Sequence, residues 1–161
     1  MNILYLHGLD SKLSPEKREI LEKFGKVYAP DLDYYKNSNV INTILKFYPG
    51  VEINTVIGSS MGGFAGYHVA NALFCPALLF NPALKKRSVP QEIPAQPDSW
   101  NNLKQIVIGQ RDEVVSPKDT LSFLSEEFNP VTKLYVLLVP GLGHRIPVEL
   151  FEAEVESFFE K

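Results

Sequence analysis

VIGSSMGGFAG, residues 56–66, sets a β-branched run directly before a cluster of glycines and serines, with a helix-like segment after it. Within it, Gly58-Ser59-Ser60-Met61-Gly62 has the spacing G-x-S-x-G with Ser60 at its centre. A serine on a sharp strand-to-helix turn takes up a strained backbone that lifts its hydroxyl clear of the sheet. Side chains two residues before and two after would collide there, so glycine is needed at both places. Ser59 lacks this frame, since Ile57 and Met61 flank it at the same distance. Ser60 is the candidate nucleophile.

Outward from this turn, short apolar runs alternate with helical patterns. Residues 2–6, 26–30, 53–58, 76–81, 104–109 and 133–140 read as strands, and several are apolar nearly end to end, as parallel strands covered on both faces are. Helices are expected over roughly 14–24, 37–48, 61–74, 116–128 and 146–160. Ser14-Pro15 and Ser116-Pro117 each look like a helix start, with a capping hydroxyl and proline at the first helical position. This alternation predicts an α/β sandwich of three layers, a parallel sheet between helices, in a single domain covering 1–161. Residues 81–103 break the rhythm with Pro82, Pro90, Pro94 and Pro97, and read as a long surface loop.

A serine hydroxyl attacks well only when a base takes its proton, and imidazole suits that task near neutral pH. Of the three histidines, His68 lies eight residues along the helix from Ser60, about 12 Å away. It reads as a packed or solvated side chain. His7 follows the first strand in LHGLDS and reads as a structural residue of that turn. His144 follows the last strand in VPGLGHRIP, where Gly141 and Gly143 allow tight turns. Strand ends of one polarity gather on one edge of a parallel sheet, so His144 and Ser60 are expected to share an edge. Asp112, in IGQRDEVV after the fifth strand, reaches the same edge as the carboxylate that would orient the imidazole. Neighbouring Glu113 is expected to point outward. Asn81 ends the fourth strand, another position from which an acid could reach the histidine, and is not acidic.

An anionic tetrahedral intermediate also needs backbone donors. The Met61 N–H is one, placed at a helix N-terminus where the dipole favours negative charge. The Leu9 N–H, in the His7-Gly8-Leu9 turn after the first strand, is the other.

Composition narrows the partners. Of the 161 residues 45% are hydrophobic and 22% charged, which argues for a folded chain rather than a disordered one. A net charge of −3 gives no footprint for nucleic acid. The single cysteine, Cys75, can form no intramolecular disulfide, fits a reducing compartment and reads as a small buried thiol. The apolar run before His7 is too short for a signal peptide or a membrane span, so a cytoplasmic location is expected.

LYLHG, GSSMGG, GQRDEVV and PGLGH, in this order and spacing, resemble the α/β-hydrolase superfamily, and most of all its very small bacterial members, the YqiA-like esterases. The resemblance runs from Leu4 to the final helix. It implies a nucleophile-acid-base order of Ser60, Asp112 and His144, six parallel strands ordered 2-1-3-4-5-6, and a core lacking the first two strands of larger members. It implies no metal and no cofactor. Residues 81–103 stand where larger members carry a helical cap and are too few for one, so a shallow, loop-covered site is expected. Tyr34 and Tyr35, after the second strand, are expected to line it. Short acyl esters or acyl thioesters are the expected small-molecule substrates, cleaved through an acyl-enzyme, with neither nucleic acid nor membrane as a partner. The rival expectation is a hydrolase fold that binds without catalysis.

Overall fold

The computed structural model describes residues 1–96 and 101–161. Six strands form one sheet: β1 (Asn2–Leu6), β2 (Lys26–Tyr28), β3 (Thr55–Ser59), β4 (Ala77–Phe80), β5 (Lys104–Gly109) and β6 (Leu134–Val139). The order is β2-β1-β3-β4-β5-β6 and every pairing is parallel. Five helices connect them: α1 (Pro15–Glu22), α2 (Val40–Phe47), α3 (Met61–Leu73), α4 (Pro117–Glu126) and α5 (Val148–Phe159). The expected order and element types hold, with ends that differ by a few residues.

Alternation along the strands divides the interior into two cores. Leu4, Leu6, Val56, Leu79, Ile106 and Ile108 face Ile41 and Ile44 of α2, Phe64 and Val69 of α3, and Leu124 of α4. Ile3, Tyr5, Ile57, Leu78 and Val107 face Leu21 of α1 and Phe151, Val155 and Phe158 of α5. Successive side chains on a strand point to opposite faces, so a central strand apolar throughout serves both layers. Ser14 and Ser116 cap α1 and α4, accepting from the Lys17 and Asp119 N–H groups at 3.4 Å.

β6 departs from the expectation of strands covered on both faces. It is apolar, yet Tyr135, Val136, Leu137 and Leu138 are 36–50% exposed. Position in the sheet explains this: β6 is an outermost strand, and among the described residues it pairs only with β5 and no strand lies beyond it.

α3 is the central helix, buried from Met61 through Asn71. Residues 81–96 form no helix or strand and run across it. Ala83 and Leu84 are buried, the Arg87 guanidinium lies 4.0 Å from the centre of the Phe64 ring, and Gln91 donates to the Tyr34 carbonyl at 3.0 Å. This part of the proline-rich stretch is therefore packed against the fold. Of that stretch, residues 97–100, Pro97 among them, lie outside the described residues.

Candidate active site

Ser60 stands between β3 and α3 with φ 56° and ψ −118°, a backbone conformation rare for any residue with a side chain. Its N–H donates to the Phe80 carbonyl at 3.0 Å, and its carbonyl accepts from the Phe64 and Ala83 N–H groups at 3.0 and 3.1 Å. The flanking glycines are a steric requirement. A Cβ on Gly58 would come within 2.2 Å of the Gly62 carbonyl oxygen, and one on Gly62 within 1.9 Å of the Leu6 carbonyl oxygen. Both obstacles are backbone atoms that cannot step aside. The turn is rigid.

The loop after β1 presses on this turn, since a Cβ on Gly8 would lie 3.1 Å from Ser60 Cβ. His7 fixes the loop with both ring nitrogens. Nε2 accepts from the Leu32 N–H at 2.9 Å, which leaves the proton on Nδ1 to be donated to the Gly8 carbonyl at 2.6 Å. The Tyr34 hydroxyl donates to the His7 carbonyl at 2.8 Å. His7 thus has no lone pair left for a substrate proton, in line with a structural role. Leu9 follows in this loop beside Ser60. Met61 opens α3, so its N–H has no carbonyl one turn earlier in the helix to bind.

Asp112 and His144 come together. The side chain of Asp112 is fully buried, and its Oδ2 lies 2.8 Å from His144 Nδ1. Its other oxygen, Oδ1, accepts from the Val114 and Val115 N–H groups, both at 2.8 Å. A carboxylate held by two backbone donors orients the imidazole with Nδ1 protonated and leaves Nε2 as the basic nitrogen. The His144 side chain is a quarter exposed, so that nitrogen can meet a substrate. Glu113 is exposed, as its neighbours require. Among the described residues no hydrogen bond joins the Ser60 hydroxyl to His144. The two are brought to one sheet edge by the ends of β3 and β6.

Asn81, noted in the sequence only as a strand end that carries no acid, has a larger part in the structure. It is buried, has φ 42°, and bonds through its side chain to Gly109, Gly143 and His144. Its signal was an asparagine at a strand end, the residue type that tolerates left-handed backbone best after glycine.

His68 is packed, with its ring edge-on to Phe64 and Tyr67 at 5.0 and 5.3 Å. Burial, with the Arg87 charge adding to it, pushes its pKa down to about 4. Burial likewise pushes the Cys75 thiol up to about 12, so this cysteine is a packing residue rather than a nucleophile. Among the described residues no group of three His, Cys, Asp or Glu side chains is placed to hold a metal ion.

A cavity of about 630 Å³ opens beside the loop after β1, lined by residues of the loops after β1 and β2, including Leu9, Asp10, Tyr34 and Tyr35. Ser60 and His144 do not line it. The two tyrosines differ in kind. Tyr34 is buried and its hydroxyl is engaged with His7, whereas Tyr35 is exposed and donates to Asp10 Oδ2 at 2.8 Å.

Residues 2–107 match the family described as Uncharacterised protein family UPF0227. The chain belongs to this family. No curated protein matches the UPF0227 chain by sequence. Solved structures match it by fold. A monoacylglycerol lipase from Paleococcus ferrophilus superposes with a TM-score of 0.75 at 15% identity, over 99% of this chain and 94% of the lipase. The alpha/beta hydrolase domain-containing protein 10 from mouse gives 0.72 at 14%, over 99% and 89%. Est1E from Butyrivibrio proteoclasticus gives 0.62 at 17%, over 99% and 86%. The UPF0227 chain has the α/β-hydrolase fold in a form of six strands. Among its described residues no helix is long and apolar enough to cross a membrane.

Proposed function

We propose that this chain is a serine hydrolase that cleaves short acyl esters or acyl thioesters through an acyl-enzyme. The observation that carries this reading is the 2.8 Å bond between buried Asp112 and His144 Nδ1, which leaves Nε2 as a base on the sheet edge where Ser60 sits on its strained turn. His144 Nε2 takes the Ser60 proton as Oγ attacks the acyl carbon, and the Asp112 carboxylate stabilises the imidazolium so formed. The Leu9 and Met61 N–H groups receive the negative charge on the carbonyl oxygen; losing one such donor typically costs about 3 kcal/mol of transition-state stabilisation. The imidazolium then gives its proton to the departing alcohol or thiol. Water, deprotonated by the same nitrogen, releases the acid and restores Ser60. The lipase among the fold relatives supports ester cleavage as the reaction class. The cavity beside Leu9, bordered by Tyr34 and Tyr35, is the place proposed for part of the substrate. Unpaired Cys75 suits a reducing cytoplasmic setting.

A fluorophosphonate probe tests the nucleophile. The folded protein should be labelled once, at Ser60, and hydrolyse a short nitrophenyl ester. Ser60→Ala should lower kcat by about 10⁶-fold, as loss of the nucleophile does in comparable triads, while Ser59→Ala keeps most of the activity. A folded protein that takes up no label is a binding module instead, and labelling at Ser59 moves the nucleophile.

A further inference from the structure

Asn81 stands where three strand ends meet. It follows β4 directly, is 2% exposed, and carries a left-handed φ of 42°. Its side-chain Oδ1 accepts from the Gly109 N–H at 2.7 Å, at the last residue of β5 and three residues before Asp112. Its Nδ2 donates to the carbonyls of Gly143 and His144, at 3.0 and 3.1 Å. The amide orientation is fixed, because exchanging its oxygen and nitrogen would set donor against donor and acceptor against acceptor.

We infer that Asn81 is a positioning residue for the base: its amide clamps the His144 backbone to the start of the Asp112 loop, and so sets where the imidazole stands relative to Ser60. This rests on reading His144 as the general base. Among the described residues no other side chain bonds to the His144 backbone. Leu142 and Ile146 anchor the segment on either side in the core, and Lys17 Nζ donates to the Ile146 carbonyl at 2.8 Å. Gly141 has φ 76° with open space around it and Gly143 makes no close approach, so between these anchors the histidine can shift once the clamp is gone. The remaining ties between the two loops are backbone bonds, from Arg111 N–H to the Leu142 carbonyl at 2.9 Å and from Gln110 N–H to the Val139 carbonyl at 3.1 Å. They hold residues before His144 and none holds the histidine itself. The Asp112–His144 bond orients the ring, but a ring bonded only at Nδ1 can pivot about that bond. Fixing the His144 carbonyl removes the pivot. An acid at position 81 could bind the Gly109 N–H yet would face the two carbonyls with no proton to donate, so the amide is what this site requires.

Asn81→Gly tests the clamp, since glycine accepts the left-handed backbone and removes only the amide. Two quantities are read. One is turnover of the nitrophenyl ester. The other is the downfield imidazole N–H signal of His144 in a nitrogen-15-labelled sample, assigned by its loss in His144→Gln. The His7 Nδ1–H, bonded to Gly8, serves in the same spectrum as a marker of the intact fold. In Asn81→Gly the His144 signal should broaden or vanish while that of His7 persists, and kcat should fall about 10²-fold, the usual cost of a displacement near 1 Å. KM should stay within about threefold, because ground-state binding is untouched. An unchanged His144 signal, or unchanged kcat, overturns the inference. Should Asn81→Gly lose the His7 signal as well, Asn81→Asp decides by the same two readings, for it keeps the Gly109 bond and lacks both donors. An unmodified protein that hydrolyses no ester defeats the proposed function, whereas the clamp is then still judged by the His144 signal alone.

Discussion

The serine half and the histidine half of the site are built in different ways. Ser60 is placed by backbone. Glycines at 58 and 62 let β3, α3 and the β1 loop approach within distances no Cβ would allow, and the strain at Ser60 is locked in by that packing. His144 is placed by side chains. Asp112 holds its ring, Asn81 holds its carbonyl, and the glycines of its loop add freedom rather than constraint. The first construction is insensitive to chemistry and intolerant of volume. The second also has a close backbone approach, since a Cβ on Gly109 would come within 2.6 Å of the Leu142 carbonyl oxygen, but it depends besides on single donors and acceptors.

Asp112→Asn gives the largest expected contrast within the histidine half. The amide nitrogen would donate to His144 Nδ1, moving the ring proton to Nε2 and removing the proposed base. A kcat loss of about 10⁴-fold is expected, with the melting temperature little changed because the Val114 and Val115 bonds can persist. A loss under tenfold would show that the imidazole tautomer does not matter to turnover. Next comes the serine half. In Gly62→Ala the new methyl would sit against the Leu6 and His7 carbonyls, which should cost upwards of about 3 kcal/mol, beyond ordinary overpacking, or prevent folding. Chemical denaturation measures it, and a variant within 1 kcal/mol of the parent, to order of magnitude, would mean the backbone can yield there.

His68 comes third. It lies on α3 within the serine half, and its folded pKa of about 4 stands below the 6.5 of an ordinary imidazole. Above pH 6.5 both states are neutral at this group and its contribution is whole. As the pH falls from 6.5 toward 4 the unfolded chain takes up a proton that the folded one refuses, so stability declines through that window. The decline should be about 1–3 kcal/mol, and His68→Phe should flatten that part of a plot of Tm against pH. An identical acid decline in the variant would assign it to other groups. Gly66→Ala should do least. The nearest atoms to its methyl would be the ends of the Leu79, Val56 and Leu6 side chains, at 3.0, 3.2 and 3.9 Å. Those ends can shift, and the gain in helix propensity of about 1 kcal/mol offsets the crowding, so an unfolding free energy near that of the parent is expected from the same denaturation experiment.

This division also governs what a reader of the chain can see. The serine half is local: strand, turn glycines and helix follow one another within residues 55–73, and their spacing carries the mechanics. The order of strands and the common edge for Ser60, Asp112 and His144 follow from the β-α rhythm, and that rhythm is plain in the runs of apolar residues. The histidine half is spread over the chain. Asn81 reaches partners at 109 and 143–144, and no pattern along a strand announces an amide whose work lies 62 residues away. For the same reason the difference between Tyr34 and Tyr35 was hidden. One closes over His7 and the other meets Asp10, and only the packing of the β1 and β2 loops decides between them. The exposure of β6 was hidden too, because an outermost strand and an inner one can share the same apolar composition.

That outermost position has a consequence for how the molecule fails. The segment bearing His144 hangs from the edge of the sheet, on a strand with a single partner and much of its surface in water. Strands of this kind open ahead of the centre in amide exchange, at a free energy below that of global unfolding. A partial opening that releases β6 would leave Ser60 on its strained turn, buried helix and all, while withdrawing the nitrogen proposed as its base. Heating or mild denaturant should therefore silence the site while most of the sheet is still protected from exchange.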